Sequence, residues 1–119
     1  MLSFPPSVRI YVAREPVDLR RSFDALAALV PTLWASDPLS GHVFCFFNRR
    51  ADRVKLLVWD RTGFWLFYKR LEAGRFAREA VVSGEWTARE LFCVLEGIDL
   101  ATVRQRRRYC RPKRLAIAG

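Results

Sequence analysis

The fold is decided by residues 41–71, which read GHVFCFFNRRADRVKLLVWDRTGFWLFYKRL. Three apolar runs, residues 42–47, 53–59 and 64–71, are separated by two short polar loops that are rich in arginine. Loops of this length between runs of aromatic and branched residues are typical of antiparallel neighbouring strands. The stretch therefore predicts a three-stranded meander, with Gly63 placed to take a positive φ in the second loop.

The residues ahead of this stretch predict a strand and a helix. Residues 8–12 alternate with a period of two, which indicates a short strand. After Asp18, apolar residues recur at three- and four-residue steps, which predicts a first helix of about four turns with Asp18 as its N-cap. Pro31 lies within this pattern, so we expect the last turn to kink or to begin anew there.

A second helix is predicted after the meander. Thr87 and Glu90 have the spacing of a capping box, and Gly97 stands where a left-handed residue would end a helix over residues 88–96. Apolar residues on both faces of the meander predict that the first helix covers one face and that the other is partly covered too. We therefore expect a single α+β domain over residues 1–103. It consists of an antiparallel meander sheet of three to four strands packed against an N-terminal helix, with a second short helix, and a basic C-terminal tail follows over residues 104–119.

The positive charge is concentrated in two places, although the whole chain carries a net charge of +9. Residues 48–70 hold seven basic residues against two acidic ones, and residues 104–114 hold seven basic residues and no acidic one. Such clustering favours a polyanionic partner, because an evenly solvated surface mixes both signs. The candidate nucleic-acid-binding residues are Arg49, Arg50, Arg53, Lys55, Arg61, Lys69, Arg70, Arg104, Arg106, Arg107, Arg108, Arg111, Lys113 and Arg114.

Residues suited to catalysis are scarce. His42 is the only histidine, and beside a strand start we expect a surface or hydrogen-bonded residue rather than a general base. The glycines stand apart from one another, so no phosphate-binding loop is formed. A two-metal nuclease would need several carboxylates, with Asp60 as the first candidate, but the acids mostly stand in caps and loops or beside arginines. We expect no enzyme activity, no cofactor and no metal.

The cysteines and the first residues of the chain indicate the cellular compartment in which the protein is expected. Three widely spaced cysteines beside one histidine provide neither a disulfide framework nor a zinc site. No apolar run approaches the roughly 18 residues needed to cross a bilayer, and residues 1–7 lack the features of a secretory signal. We therefore expect a cytoplasmic protein with incidental thiols.

Six parts of the sequence, in order, resemble a known family. They are FPPSVRIY (4–11), VDLRRSFDAL (17–26), SGHVF (40–44), VKLLVWD with GF (54–60 and 63–64), KRLE with GRF (69–72 and 74–76) and LEGID (95–99). Together they resemble the TnpB accessory proteins of three-gene bacterial insertion sequences of the IS-sixty-six group, the Orf-two-like family. The resemblance implies a small protein that is needed for transposition beside a separate transposase and a second accessory protein, and it supplies no catalytic residues.

Two functions remain open from the sequence. In the first, the loops of the meander and the tail neutralise DNA phosphates. In the second, the same charges contact an acidic face of the transposase, and the protein is an adaptor with little direct DNA contact. The exposure of Trp59, Trp65 and Tyr68 bears on this choice, because exposed rings among arginines can stack on bases, whereas aromatic residues on strands more often pack in a core.

Overall fold

The computed structural model describes residues 4–77, 84–99 and 104–105. In chain order these form β1 (Ile10–Val12), α1 (Phe23–Trp34), β2 (Val43–Phe47), β3 (Arg53–Trp59), β4 (Phe64–Arg70), β5 (Glu85–Trp86), α2 (Ala88–Leu95), β6 (Ile98–Asp99) and β7 (Arg104–Gln105). The predicted α+β class is confirmed, and β2, β3 and β4 form the predicted antiparallel meander.

The sheet is larger than predicted, and it is mixed. In the described part of the chain it has five strands in the order β4-β3-β2-β1-β5, with β1 parallel to β2 and β5 antiparallel to β1. The prediction of an antiparallel sheet of three to four strands is therefore wrong in strand number and direction. The parallel pair arises because α1 joins β1 to β2 as a crossover, whereas antiparallel neighbours are joined by hairpins. With only two residues, β5 carries too little periodicity to be predicted.

Each face of the sheet is covered by one helix. Leu26 and Val30 of α1 pack in a buried cluster with Phe44 of β2, and Leu91 and Val94 of α2 pack in a second cluster on the other face. This confirms the prediction that both faces are covered. It also explains why all five residues of β2 are buried, since a strand enclosed on both sides has an almost continuous apolar sequence.

The first helix differs from its prediction at both ends. Its N-cap is Ser22 rather than Asp18, because the Asp18 carboxylate accepts hydrogen bonds from the backbone N–H of Arg20 (3.0 Å) and from its guanidinium (2.6–3.1 Å). Pro31 lies inside the helix, so the predicted new start there is wrong: a proline removes one backbone hydrogen bond, while the buried face of α1 continues to pack on the sheet. The alternative, a kink at Pro31, stays a prediction. The helix ends at Trp34, and its C-cap Ala35 is left-handed with a φ of 49°.

The second helix matches its prediction closely. The Thr87 hydroxyl accepts a hydrogen bond from the backbone N–H of Glu90 (3.1 Å), and the Glu90 carboxylate accepts one from the N–H of Thr87 (2.9 Å). Gly97 follows the helix with a φ of 80°. The capping box and the left-handed glycine are both confirmed.

Beyond α2, β6 and β7 pair antiparallel in a separate two-stranded sheet, Ile98 with Gln105 and Asp99 with Arg104. The rest of the basic segment, residues 106–119, lies outside the described residues, so the division of the chain at residue 103 stays a prediction. Neither helix of the described part is long and apolar enough to cross a membrane.

Candidate nucleic-acid interface

The basic residues of the meander fall at two separate ends of the sheet. The loop of residues 48–52 joins β2 to β3, and the loop of residues 60–63 joins β3 to β4 at the other end of the seven-residue β3, about 20 Å away. The chain returns to the first end after β4, where the backbone N–H of Leu71 donates to the carbonyl of Asp52 (2.7 Å). Residues 49, 50 and 53 therefore share one end of the sheet, and Arg61 lies at the other.

The loop of residues 48–52 is held by the side chain of Asn48. Its amide oxygen accepts hydrogen bonds from the backbone N–H groups of Asp52 (3.1 Å) and Arg53 (3.0 Å), and its amide nitrogen donates to the Asp52 carboxylate (2.6 Å). The hydrogen bond from Asn48 is the main reason why the pKa of Asp52 lies below its ordinary value. This side-chain network fixes the path of the loop independently of any ligand.

The core also anchors this loop. Ala51 is buried with a left-handed φ of 55°, and its carbonyl accepts the backbone N–H of the buried Phe76 (2.7 Å). Arg49 and Arg50, at the tip of the loop, are exposed and form no hydrogen bond or ion pair within the described part of the chain. Their guanidinium groups are therefore available to a partner on a loop that is already ordered.

A cleft of about 650 Å³ opens between this loop and the segment that precedes α1. Residues 16–20 line one side, and residues 48–50 line the other together with Arg53 and Tyr68. We call this the arginine cleft. Its lining includes four arginines and one aspartate, a net charge of +3, so its field attracts anions.

The segment of residues 16–20 is fixed to the sheet. The backbone N–H of Val17 donates to the carbonyl of Phe47 (2.9 Å), and the Lys55 ammonium donates to the carbonyl of Arg21 (2.8 Å). Within the segment, Asp18 and Arg20 form an ion pair of 2.6 Å, and the hydrogen bonds from Arg20 lower the pKa of Asp18 to about 2. Lys55 is only 7% exposed, so its ammonium supports this wall of the cleft from inside.

An aromatic ring stands in the arginine cleft. Tyr68 is 52% exposed, and it lies directly opposite Lys55 in the register of β3 and β4. The Lys55 ammonium lies over the ring, 4.8 Å from its centroid, and the Arg53 guanidinium donates to its hydroxyl (3.3 Å). Tyr68 is exposed because β4 is an edge strand, and an exposed ring beside arginines is the arrangement in which proteins stack nucleic-acid bases.

The remaining candidate residues lie elsewhere. Lys69 points to the opposite face from Tyr68, where its ammonium donates to the carbonyl of Leu95 (2.7 Å) at the end of α2. Arg70 forms an ion pair with Glu72 (2.8 Å). The backbone of Arg104 lies in β7. The other candidates lie outside the described residues; these are Arg106, Arg107, Arg108, Arg111, Lys113 and Arg114.

Backbone N–H groups in the loop of residues 60–63 donate to the carboxylate of Asp60, which belongs to the same loop. Asp60 accepts hydrogen bonds from the Trp65 indole N–H (2.6 Å) and from the backbone N–H of Gly63 (3.2 Å), and these bonds lower the pKa of Asp60. The left-handed residue of this loop is Arg61, with a φ of 81°, so the prediction of a positive φ at Gly63 is wrong. Because the Asp60 carboxylate accepts the N–H groups that follow it, the chain turns at Arg61 instead.

The potential catalytic groups are engaged in the fold. His42 is confirmed as a hydrogen-bonded residue, since its Nδ1 accepts the backbone N–H of Arg9 (3.0 Å). Burial raises the pKa of the Cys45 thiol, which favours the unreactive neutral form. Across the residues that the structure describes, no three His, Cys, Asp or Glu side chains are grouped so as to hold a metal ion.

Sequence reasoning missed the wall of residues 16–20, including Arg20. Arg20, the basic residue of this wall, stands close to Asp18 in the sequence, so the two charges cancel and a count of net charge does not reveal it. Tyr68 was considered for stacking from the sequence but was not included among the candidate residues. Its exposure depends on the order of the strands in the sheet, which the sequence did not predict. The one sequence feature that pointed to this wall was the family-like stretch VDLRRSFDAL (17–26), which contains residues 17–20.

Comparison with known proteins gives a family and two relatives. The family described as IS66 Orf2 like protein, also named TnpB, matches residues 8–105. An uncharacterized protein of Sinorhizobium fredii, y4jC, is 36% identical over 101 residues, which cover 83% of this chain and 86% of the relative. A second uncharacterized protein of the same organism, y4hO, is 34% identical over 101 residues, which cover 83% and 88%. No solved structure matches. The family match includes both walls of the arginine cleft.

Proposed function

The chain belongs to the IS66 Orf2-like family, which places it among the accessory proteins of insertion sequences, and on that premise we propose that it binds DNA during transposition. The observation that carries this proposal is the arginine cleft, with its net charge of +3 and its two fixed walls. Arg49 and Arg50 form no ion pair among the described residues, and guanidinium groups of this kind replace the counterions of DNA phosphates when the two molecules meet. The contacts would supply affinity without reading the sequence of the DNA.

Arg49 and Arg50 are the central residues of this proposal. They stand at the tip of a loop that Asn48 and the core hold in place, so the loop backbone loses little conformational entropy when they contact a phosphate. The basic residues 104–114 add seven positive charges in sequence and would extend the contact along the DNA backbone. The transposase and the second accessory protein of the element would work on the same DNA.

The proposed role is non-catalytic. Asp60, the first candidate for a metal-dependent nuclease, uses both carboxylate oxygens to accept hydrogen bonds from its own loop and from Trp65 of β4. His42 and Cys45 are likewise engaged in hydrogen bonding or buried. These observations support a protein that positions DNA or partners while the transposase carries out the chemistry.

The test measures DNA affinity over a series of salt concentrations. The double variant Arg49→Gln with Arg50→Gln should reduce the slope of log affinity against log salt by about 1.8, because each phosphate contact contributes about 0.9. The matched control, Arg61→Gln with Lys69→Gln, removes two charges away from the cleft and should leave the slope nearly unchanged.

Two results would contradict the proposal. One is DNA binding whose dependence on salt is the same in the intact protein and in both double variants. The other is no DNA binding by the intact protein together with a transposase complex that survives nuclease and high salt, which would identify the protein as an adaptor. Magnesium-dependent cleavage of DNA that Asp60→Asn abolishes would overturn the non-catalytic role.

A further inference from the structure

Tyr68 presents an aromatic surface within a positively charged cleft. More than half of its surface is exposed, and the Lys55 ammonium lies over the ring while Arg53 holds the hydroxyl. Lys55 does not line the cleft, whereas Tyr68 and Arg53 do, so the exposed part of the ring is turned towards the cleft. A ring fixed at its hydroxyl and supported from the sheet needs little further ordering to form a stacking surface.

The cleft has the size of a small-molecule site rather than of a groove for a double helix. Its volume of about 650 Å³ lies in the range of about 300–1,000 Å³ that is usual for pockets that enclose one small ligand. In duplex DNA the faces of the bases are stacked on one another, and a protein ring outside the helix meets only phosphates and base edges. An unpaired nucleotide instead offers a free base face beside a phosphate.

We propose that the arginine cleft binds an unpaired nucleotide of single-stranded DNA, with its base stacked on Tyr68 and its flanking phosphates bound by Arg49 and Arg50. This inference rests on the proposed function, that the protein binds DNA, and adds that the strand is unpaired where it enters the cleft. The walls suit this ligand because an aromatic surface and cationic groups line the same concave space.

Trp65 shows that exposure alone does not make an aromatic ring suitable for stacking a nucleotide base. It is 56% exposed, slightly more than Tyr68, but it stacks on Phe67 (5.9 Å between ring centroids) and its indole N–H donates to the Asp60 carboxylate. A carboxylate at the edge of the ring repels the phosphates on either side of a base. Trp65 is therefore the matched control: an aromatic residue of the same strand, equally accessible, with the opposite electrostatic surroundings.

The experiment compares three labelled probes against the full-length protein by fluorescence anisotropy at constant salt. The probes are a single-stranded oligonucleotide, the duplex of the same sequence, and a single strand of the same length in which the bases are replaced by abasic sites. We expect tighter binding of the normal single strand than of the abasic strand, because the phosphates are the same and only the bases differ. Tyr68→Leu should weaken single-strand binding by about tenfold, the effect of losing one stacked base, and leave duplex binding unchanged.

Two further variants separate stacking from folding. Tyr68→Phe keeps the ring and loses the hydroxyl, so it should retain single-strand affinity within about twofold. Trp65→Leu should leave the affinity for all three probes unchanged. Thermal unfolding of each variant accompanies the binding assay, and if Tyr68→Leu does not fold, the comparison of the normal and abasic single strands on the unaltered protein provides the test of stacking.

The outcomes distinguish this inference from the proposed function. Equal binding of the normal and abasic single strands overturns the inference, as does equal weakening by Tyr68→Leu and Trp65→Leu. If either result is found while the variant with Arg49→Gln and Arg50→Gln still loses affinity for DNA, the proposed function stands and only the stacking site is wrong. Absence of binding to every probe overturns both.

Discussion

The two loops of the meander are made of similar residues and yet leave different surfaces. Both are short, both contain arginine and aspartate, and both have an exposed aromatic residue nearby on β4. In the loop of residues 60–63 a carboxylate, Asp60, holds the turn and also binds the neighbouring ring of Trp65. In the loop of residues 48–52 the amide of Asn48 holds the turn, and Arg49 and Arg50 form no hydrogen bond or ion pair among the described residues.

The comparison shows that the side chain that accepts the backbone hydrogen bonds of a turn also determines how much positive charge the arginines of that turn keep. The Asn48 amide provides hydrogen bonds without adding negative charge, so Asp52 alone offsets the two arginines of this loop, which keeps a net charge of +1. A carboxylate provides the same hydrogen bonds and adds a negative charge beside Arg61. Counting basic residues in the sequence assigns both loops to one basic cluster, whereas only the first belongs to a positively charged cleft.

The largest expected effect comes from the anchor of the first loop in the core. Phe76 is 2% exposed, packs against Phe47 (5.5 Å between ring centroids) and donates its backbone N–H to Ala51. Phe76→Ala should lower the free energy of unfolding by about 3–5 kcal/mol, through lost burial and the cavity that remains. The measurement is urea denaturation.

The matched change at the other end is Phe64→Ala. Phe64 contacts Trp59 (5.0 Å between ring centroids) but is only half-buried, so we expect a loss of about 1–2 kcal/mol. Equal losses at the two ends would show that the first loop is no better anchored than the second.

A smaller effect is expected from the amide that holds the first loop. Asn48→Ala removes three hydrogen bonds and leaves the N–H groups of Asp52 and Arg53 without this acceptor, so the free energy of unfolding should fall by about 2 kcal/mol. The control is Thr62→Ala in the other loop, where Asp60 still accepts the backbone N–H groups and the loss should be much smaller.

DNA affinity provides a second measurement on the Asn48→Ala variant. A loop without Asn48 must be ordered on binding, so Asn48→Ala should weaken DNA binding although it removes no charge, and Thr62→Ala should not. If Asn48→Ala destabilises the protein but leaves DNA affinity intact, the loop does not need to be preordered.

The sequence predicted the elements whose signals are local. The meander, the strand ahead of it, the second helix and its capping box all follow from periodicity and residue spacing within a short stretch. The strand of residues 8–12 is shorter than predicted, since only Ile10–Val12 pair with neighbours. The aromatic run of β2 also indicated correctly that both faces of the sheet are covered.

The features that depend on contacts between distant parts of the chain could not be predicted. The parallel pairing of β1 with β2 and the addition of β5 are set by tertiary packing. The arginine cleft joins residues 16–20 to residues 48–53 and to Tyr68, which are far apart in sequence. The N-cap prediction at Asp18 was wrong for a different, local reason, because its carboxylate is bound instead by Arg20 two residues later.

That ion pair gives the smallest of the expected effects. The pKa of Asp18 is lowered from 3.8 to about 2 by hydrogen bonds from Arg20, so the carboxylate adds stability above about pH 4 that is lost as the pH falls towards 2. Asp18→Asn should therefore lower the melting temperature slightly at neutral pH, and the difference from the unaltered protein should shrink as the pH falls through this range. Arg20→Gln should reproduce the effect, and combining the two should add little. Because both side chains are exposed, the effect should also weaken at high salt, and a difference that persists unchanged at pH 2 would show that Asp18 acts through something other than its charge.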